Sequence, residues 1–180
     1  MKQLPLFILV LFLMGPNLIS AQIYTVESGS AFFKAKMPLN SYTGKSDQLY
    51  GTIDFKTGVM DFSVPLNSIE TGIEKRNKHM YELLNSEQYP TVTFKGILRK
   101  IPNRTLQTKQ AIMADGDFAL AGTTQKVTIS MDFTPEEKGL KMTASWSVLI
   151  TDYNLERPSF MFIKVKDKHD LSVDALLKEK

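Results

Sequence analysis

The sequence predicts an all-β fold, a closed antiparallel barrel or a sandwich carrying one short helix. Three observations point there. Apolar and polar residues alternate with a period of two along most of the chain, the mark of strands with one buried and one wet face. Short turn signals separate these runs. Of the 180 residues, 43% are hydrophobic and 23% charged, a globular balance that collagen, coiled coils and disordered chains do not share.

The first 21 residues stand apart. Lys2 precedes the apolar run Leu4–Met14, which gives way to Gly15-Pro16-Asn17 and ends on Ser20-Ala21. A charged start, an apolar core and a small-residue end are the order of a secretory signal peptide. The run has 11 residues, well short of the roughly 20 that cross a bilayer. Residues 1–21 are therefore read as a signal peptide cleaved after Ala21, with residues 22–180 forming one exported domain. No later stretch is apolar enough to span, so no stable membrane insertion is expected.

Strands are expected at Tyr24–Val26, Ala31–Leu39 and Leu49–Phe55. Lys56-Thr57-Gly58 turns the chain into a run in which Met60, Phe62, Val64 and Leu66 alternate with Asp61, Ser63 and Asn67, Pro65 marking an edge or a bulge. Glu74–Ser86 breaks the pattern. Ile73, Met80, Leu83 and Leu84 fall at helical spacing among charges, and Tyr89-Pro90 stops the segment, so a short helix is expected there. Strands resume at Thr91–Leu98 and Gly116–Leu120, on either side of a polar loop at Pro102–Gln110. Val127, Ile129, Met131 and Phe133 then alternate with Thr128, Ser130 and Asp132. After the turn Glu136–Gly139 comes the clearest run, Leu140, Met142, Ala144, Trp146, Val148 and Ile150, with Leu149 as its one exception on the polar face. Asp170–Leu177 is the last strand expected. About eight or nine such strands suit a closed barrel or a sandwich. A barrel of about eight has room for packed side chains or for one small ligand, and periodicity does not separate the two.

Charge and motif content exclude whole classes of function. Beyond Lys2, 21 basic residues face 19 acidic ones without clustering, which leaves no footprint for nucleic acid. The absence of cysteine removes disulfides, thiolate metal sites, cysteine nucleophiles and a lipidated Cys anchor. His79 lies among Glu74, Lys75, Arg76, Asn77 and Lys78 and reads as a surface or capping residue. His169 reads as part of a solvated charge run with Lys166, Asp167, Lys168 and Asp170. No phosphate loop, nucleophile elbow or HExxH motif occurs. Catalysis, a metal and a cofactor are thus not expected.

What remains is the character of the inward faces. Met60, Phe62, Val64, Phe94, Phe118, Leu120, Ile129, Met131, Met142, Trp146 and Val148 fall on them and are the candidate ligand-binding residues. Phenylalanine and methionine make adaptable, polarizable linings. Burial stabilises a long apolar ligand by roughly 0.8 kcal/mol per methylene, so such a ligand needs no specific polar contact.

Four ordered segments carry a resemblance. Ser68-Ile69-Glu70-Thr71-Gly72 is similar to S-I-x-T-G, and Arg76-Asn77-Lys78-His79-Met80 to R-D-x-H-L, with Asn77 in place of the acid. Tyr89-Pro90-Thr91-Val92-Thr93-Phe94 is similar to YP-x-I-x-F, and Gly116–Val127 to G-D-L-T-L-x-G-V-T-x-x-V. From about Tyr24 to Leu177 the chain resembles the YceI-like family of polyisoprenoid-binding proteins. The resemblance implies a lipocalin-like, extended antiparallel β-barrel whose lumen holds an isoprenoid lipid or a quinone-like amphiphile, in a bacterial periplasmic or secreted protein. Of the motif residues, Gly72, Gly116 and Gly122 are expected to serve turns or bulges, and Ser68, Thr71 and Arg76 to fix the crossing from strand to helix.

The expected function is that of a non-catalytic carrier, with Lys or Arg at the rim as partner for an anionic head. The alternative is a barrel with a filled core that acts through its outer face as an envelope interaction or stress-response module. The sequence leaves room for a homodimer.

Overall fold

The computed structural model describes residues 22–103, 105, 107–160 and 163–180; residues 1–21, read above as a signal peptide, lie outside them. Alternating sequence becomes a closed antiparallel barrel. Its strands are β1 (Ile23–Lys36), β2 (Ser41–Ser46), β3 (Tyr50–Asp54), β4 (Val59–Pro65), β5 (Thr91–Leu98), β6 (Gln110–Leu120), β7 (Thr123–Glu136), β8 (Gly139–Leu149) and, after a two-stranded ribbon of β9 (Ser159–Phe160) and β10 (Ile163–Lys164), β11 (Lys168–Glu179). The order is β11-β8-β7-β6-β5-β4-β3-β1, closed by the pairing of β1 with β11. β2 and β3 share one position in the wall: β3 pairs with Ile23–Thr25 and β2 with Ala31–Lys36 of the same long strand. The barrel therefore has eight strand positions. The one helix, α1 (Glu74–Leu83), follows a 3-10 turn at Leu66–Ser68.

The closed barrel, rather than a sandwich, is the form taken. Two expected strands, Tyr24–Val26 and Ala31–Leu39, are in fact one. β1 runs through Ser28-Gly29-Ser30, and its register with β11 slips between Val26 and Ser28, a bulge that lets one strand bend around the wall. It ends at Lys36, and Leu39 lies beyond it, fully in solvent. β2, a polar stretch that alternation does not reveal, was not expected.

Turns follow local chemistry. Leu120 pairs with Thr123 across a two-residue loop in which Ala121 (φ 48°) and Gly122 (φ 79°) are both left-handed, the type I′ geometry that suits strand twist. Gly116 has another role than a turn. It pairs with Gly96 across β5 and β6, and a Cβ on it would lie 2.5 Å from the Lys95 carbonyl oxygen and 2.7 Å from Gly96 Cα. Glycine there allows the strands to meet with the Phe94 ring laid against the pair.

On the outer wall, Arg99 clasps Asp115 with Nε 2.6 Å from Oδ2 and Nη2 2.7 Å from Oδ1, and Thr128 Oγ1 donates to Oδ1 at 2.6 Å. The Arg99 donors foremost, then the Thr128 hydroxyl, lower the Asp115 carboxyl to about 2. A carboxylate with a depressed value stabilises the fold above its unfolded value of about 3.9, and that contribution fades as pH falls toward the folded value. Asp115→Asn should therefore lower the thermal midpoint at pH 6, and the gap to wild type should close as the pH is lowered from 4 to 2 in a melting series. High salt should narrow the gap as well, since the pair is exposed.

Candidate functional site

The barrel is packed at one end and hollow at the other. At the packed end, rings interlock: Tyr24 meets Phe55 edge-on at 4.9 Å, and Phe55 meets Phe133 at 5.9 Å. Ile53, Leu98, Ile112, Ala114, Leu140, Ala175 and Leu177 close around them. One row further along each strand the packing opens into a cavity of about 850 Å³. Its wall takes Phe62 and Val64 from β4, Phe94 from β5, Phe118 and Leu120 from β6, Ile129 and Met131 from β7, and Met142, Trp146 and Val148 from β8. Of the candidate residues only Met60 is elsewhere. It pairs with Ile53 of β3 and Gly96 of β5 and is 1% exposed in the packed half, one inward position short of the lumen. A period of two sets the face a residue joins; how far along the barrel it sits decides whether it lines space or fills it.

Phe118 projects to the middle of the wall, edge-on to Trp146 at 5.7 Å and to Tyr153 at 5.8 Å. Burial first, and Asp152 second, push the Tyr153 phenol up to about 12. Trp146 Nε1 is buried without a hydrogen-bond partner among the described residues.

Helix α1 covers the hollow end. Arg76, His79, Met80, Leu83 and Leu84 line the cavity at helical spacing, yet no residue of the helix is fully buried. The reason is what lies beneath, a hollow in place of a core. Local bonds fix the helix over it. Tyr81 Oη donates to the Ile69 carbonyl at 2.8 Å, tying the last turn to the end of the 3-10 segment. Beyond the helix, Asn85 turns left-handed (φ 47°), and its carbonyl accepts from Tyr89 N at 2.9 Å.

The mouth beside the helix carries positive charge: Lys75 and Arg76 line the cavity there with the His79 and His169 rings, and among the described residues no Asp or Glu does. The Arg76 guanidinium lies 4.6 Å from the centre of the Tyr42 ring. Burial raises the Tyr42 phenol, and Arg76 partly offsets it. His169 is not the solvated residue its neighbours suggest. It is 8% exposed, with Nδ1 3.0 Å from the Asp167 carbonyl oxygen and its ring 6.3 Å from Phe33. The alternation that turns Lys168 and Asp170 out of β11 turns His169 in. His79 does stay on the exposed side of the helix, at the rim.

Other lining residues escaped the sequence reading. Phe33, Leu171 and Val173 alternate within expected strands and could have been found there; Tyr42 and Gly44 sit on the unforeseen β2. Among the described residues, no three His, Asp or Glu side chains gather as a metal site would require.

A profile of the YceI-like domain matches residues 23–177. The chain belongs to the YceI-like family. Among solved structures, a polyisoprenoid-binding domain from Saccharophagus degradans, implicated in plant cell wall breakdown, is similar at a TM-score of 0.72 and 14% identity, over 87% of this chain and 98% of that one. BcnA from Burkholderia cenocepacia gives 0.70 at 12% identity, over 83% and 96%. A YceI protein of Campylobacter jejuni gives 0.55 at 15% identity, over 100% and 99%. Likeness at such identities is one of fold. No curated protein matches the chain.

The YceI-like motifs divide between scaffold and site. Ser68 Oγ donates to the Pro65 carbonyl and meets Ser46 Oγ, both at 2.6 Å, fastening the 3-10 turn to β2. Asn77, where the family pattern has an acid, accepts from Thr71 N at 2.8 Å and Thr71 Oγ1 at 2.7 Å, which pins the entry to α1. Tyr89 packs over Gly122, where a Cβ would come within 2.4 Å of its ring. Arg76 departs from this scaffold role and reaches the cavity mouth.

Proposed function

We propose that this protein is an exported, non-catalytic carrier of an isoprenoid-type amphiphile, whose tail lies in the barrel lumen. The observation that supports it most is the half-hollow barrel: about 850 Å³ walled by Phe, Met, Leu, Val and Trp side chains and open at the helix-covered end. Pockets that bury most of a drug-sized ligand fall in the range of about 300–1,000 Å³. The polyisoprenoid binding named for the Saccharophagus degradans domain of the same fold points to the same ligand class. Export rests on the N-terminal segment, whose charged, apolar and small-residue parts favour a periplasmic or secreted protein.

The test is native mass spectrometry of the protein purified without detergent from its own source, followed by organic extraction. A one-to-one adduct that extracts as an isoprenoid, or uptake of an added prenyl lipid by the bare protein, is the expected outcome. A bare mass that stays bare with both polyprenyl lipids and quinones would refute the carrier reading and turn attention to the outer face. The mature N-terminus read from the same sample should be Gln22.

A further inference from the structure

The outer wall and the cavity mouth treat positive charge differently. Outside, several cations sit on carboxylates: Lys36 on Asp170, Lys95 on Asp61, Arg99 on Asp115 and Lys141 on Asp174. At the mouth, Arg76 makes no ion pair among the described residues, and the lining has no carboxylate to offer it. Its plane is instead placed by the Tyr42 ring, which leaves the guanidinium donors unspent.

Register supplies the rest of the constellation. Tyr42 of β2 and His169 of β11 both pair with Ala35 of β1, so the three side chains stand in one row across the wall. Phe33, one inward position deeper, lies 6.0 Å from the Tyr42 ring and 6.3 Å from the His169 ring. The Asp167 carbonyl can only accept, so His169 Nδ1 donates to it, and Nε2 is left without a partner among the described residues. Tyr42 Oη has none either. A guanidinium, a phenol and a mostly buried imidazole thus border one apolar lumen, each with hydrogen-bonding capacity to spare.

We infer that Arg76, Tyr42 and His169 form a seat for an anionic oxygen head group, such as a phosphate, and that the ligand is an acidic amphiphile held head-at-mouth, tail-in-lumen. Arg76 supplies paired donors, the geometry that suits phosphate and carboxylate oxygens. Tyr42 donates its hydroxyl. His169, its ring oriented through Nδ1, presents Nε2 as an acceptor, which suits a protonated oxygen of the head, such as the P–OH of a monohydrogen phosphate. The inference rests on the carrier reading above and narrows it, setting an acidic lipid against a neutral quinone or alcohol.

The test compares three probes on the delipidated protein: geranylgeranyl phosphate, geranylgeraniol and inorganic phosphate. The phosphate lipid should bind about 10- to 100-fold more tightly than the alcohol, the difference expected of hydrogen bonds to a charged group. Inorganic phosphate alone should bind far more weakly than either lipid. Arg76→Gln and, separately, Tyr42→Phe should each shrink the phosphate-to-alcohol ratio. Equal affinity of the two lipids for the wild type would overturn the seat while leaving lipid carriage intact, and this comparison needs no variant to fold. Inorganic phosphate binding as tightly as the phosphate lipid would show an anion site unrelated to the lumen and overturn the inference too. If neither lipid binds, the carrier reading falls and the seat with it.

Discussion

Ala144→Trp is expected to abolish lipid binding while leaving the barrel folded. Ala144 is 4% exposed, lines the cavity, and stands opposite Met131 of β7 and Val173 of β11. An indole there grows into the lumen rather than into packed atoms, so the usual penalty for an oversized core residue does not arise. It displaces ligand instead. Excluding even four methylene-sized groups forfeits roughly 3 kcal/mol, or about a hundredfold in affinity. The same substitution at Ala175 is the control. That residue is equally small and buried but belongs to the packed half, outside the cavity lining. Ala175→Trp should lower the denaturation midpoint sharply, whereas Ala144→Trp should hold or raise it. Lipid titration and thermal melting of the pair would decide the matter: an Ala144→Trp protein that still binds prenyl lipid at full affinity would mean the lumen is not where the tail lies.

Phe133→Ala tests the opposite end. Phe133 is 0% exposed, locked edge-on against Phe55, and pairs across β7–β8 with Met142. Truncating such a ring removes its transfer free energy and leaves a void, at a cost of about 3–5 kcal/mol. That is a large share of the roughly 5–15 kcal/mol that holds a typical domain together. Because Met142 lines the lumen and Phe133 does not, the void would open directly behind the floor. Urea unfolding should show the midpoint fall, and the surviving native protein should accept a prenyl chain longer than the wild type takes. A loss below about 1 kcal/mol, with no change in chain length, would mean that the ring does not close the lumen.

These two substitutions also mark how far the sequence could be read. The row from Leu140 to Ile150 declared its inward face because a wall strand has water on one side only, and the helix at 74–83 showed itself by a change of period. Met131 and Phe133, though, carry the same alternation on the same strand, and one lines space while the other fills it. Their difference is a matter of what faces them across the barrel, which no local pattern encodes. The same applies to Met60. The mouth was legible least of all. Tyr42 sits on a strand of polar residues whose pairing depends on β1 running unbroken through Ser28-Gly29-Ser30, and His169 is hidden among charges that solvate its neighbours. Long-range register made that cluster, and only the folded wall displays it.

The aromatic plug at the far end has a bearing on traffic. A tube closed at one end has a single door. On the carrier function proposed above, cargo would enter and depart by the same route, and the protein would work as a shuttle that lets go of its donor before it faces its acceptor, rather than as a conduit. With the tail deepest, the polar end is the last part to go in and the first to come out. An acceptor would therefore greet the head while the hydrocarbon is still sheltered, and hand-over would proceed without the greasy portion crossing open water.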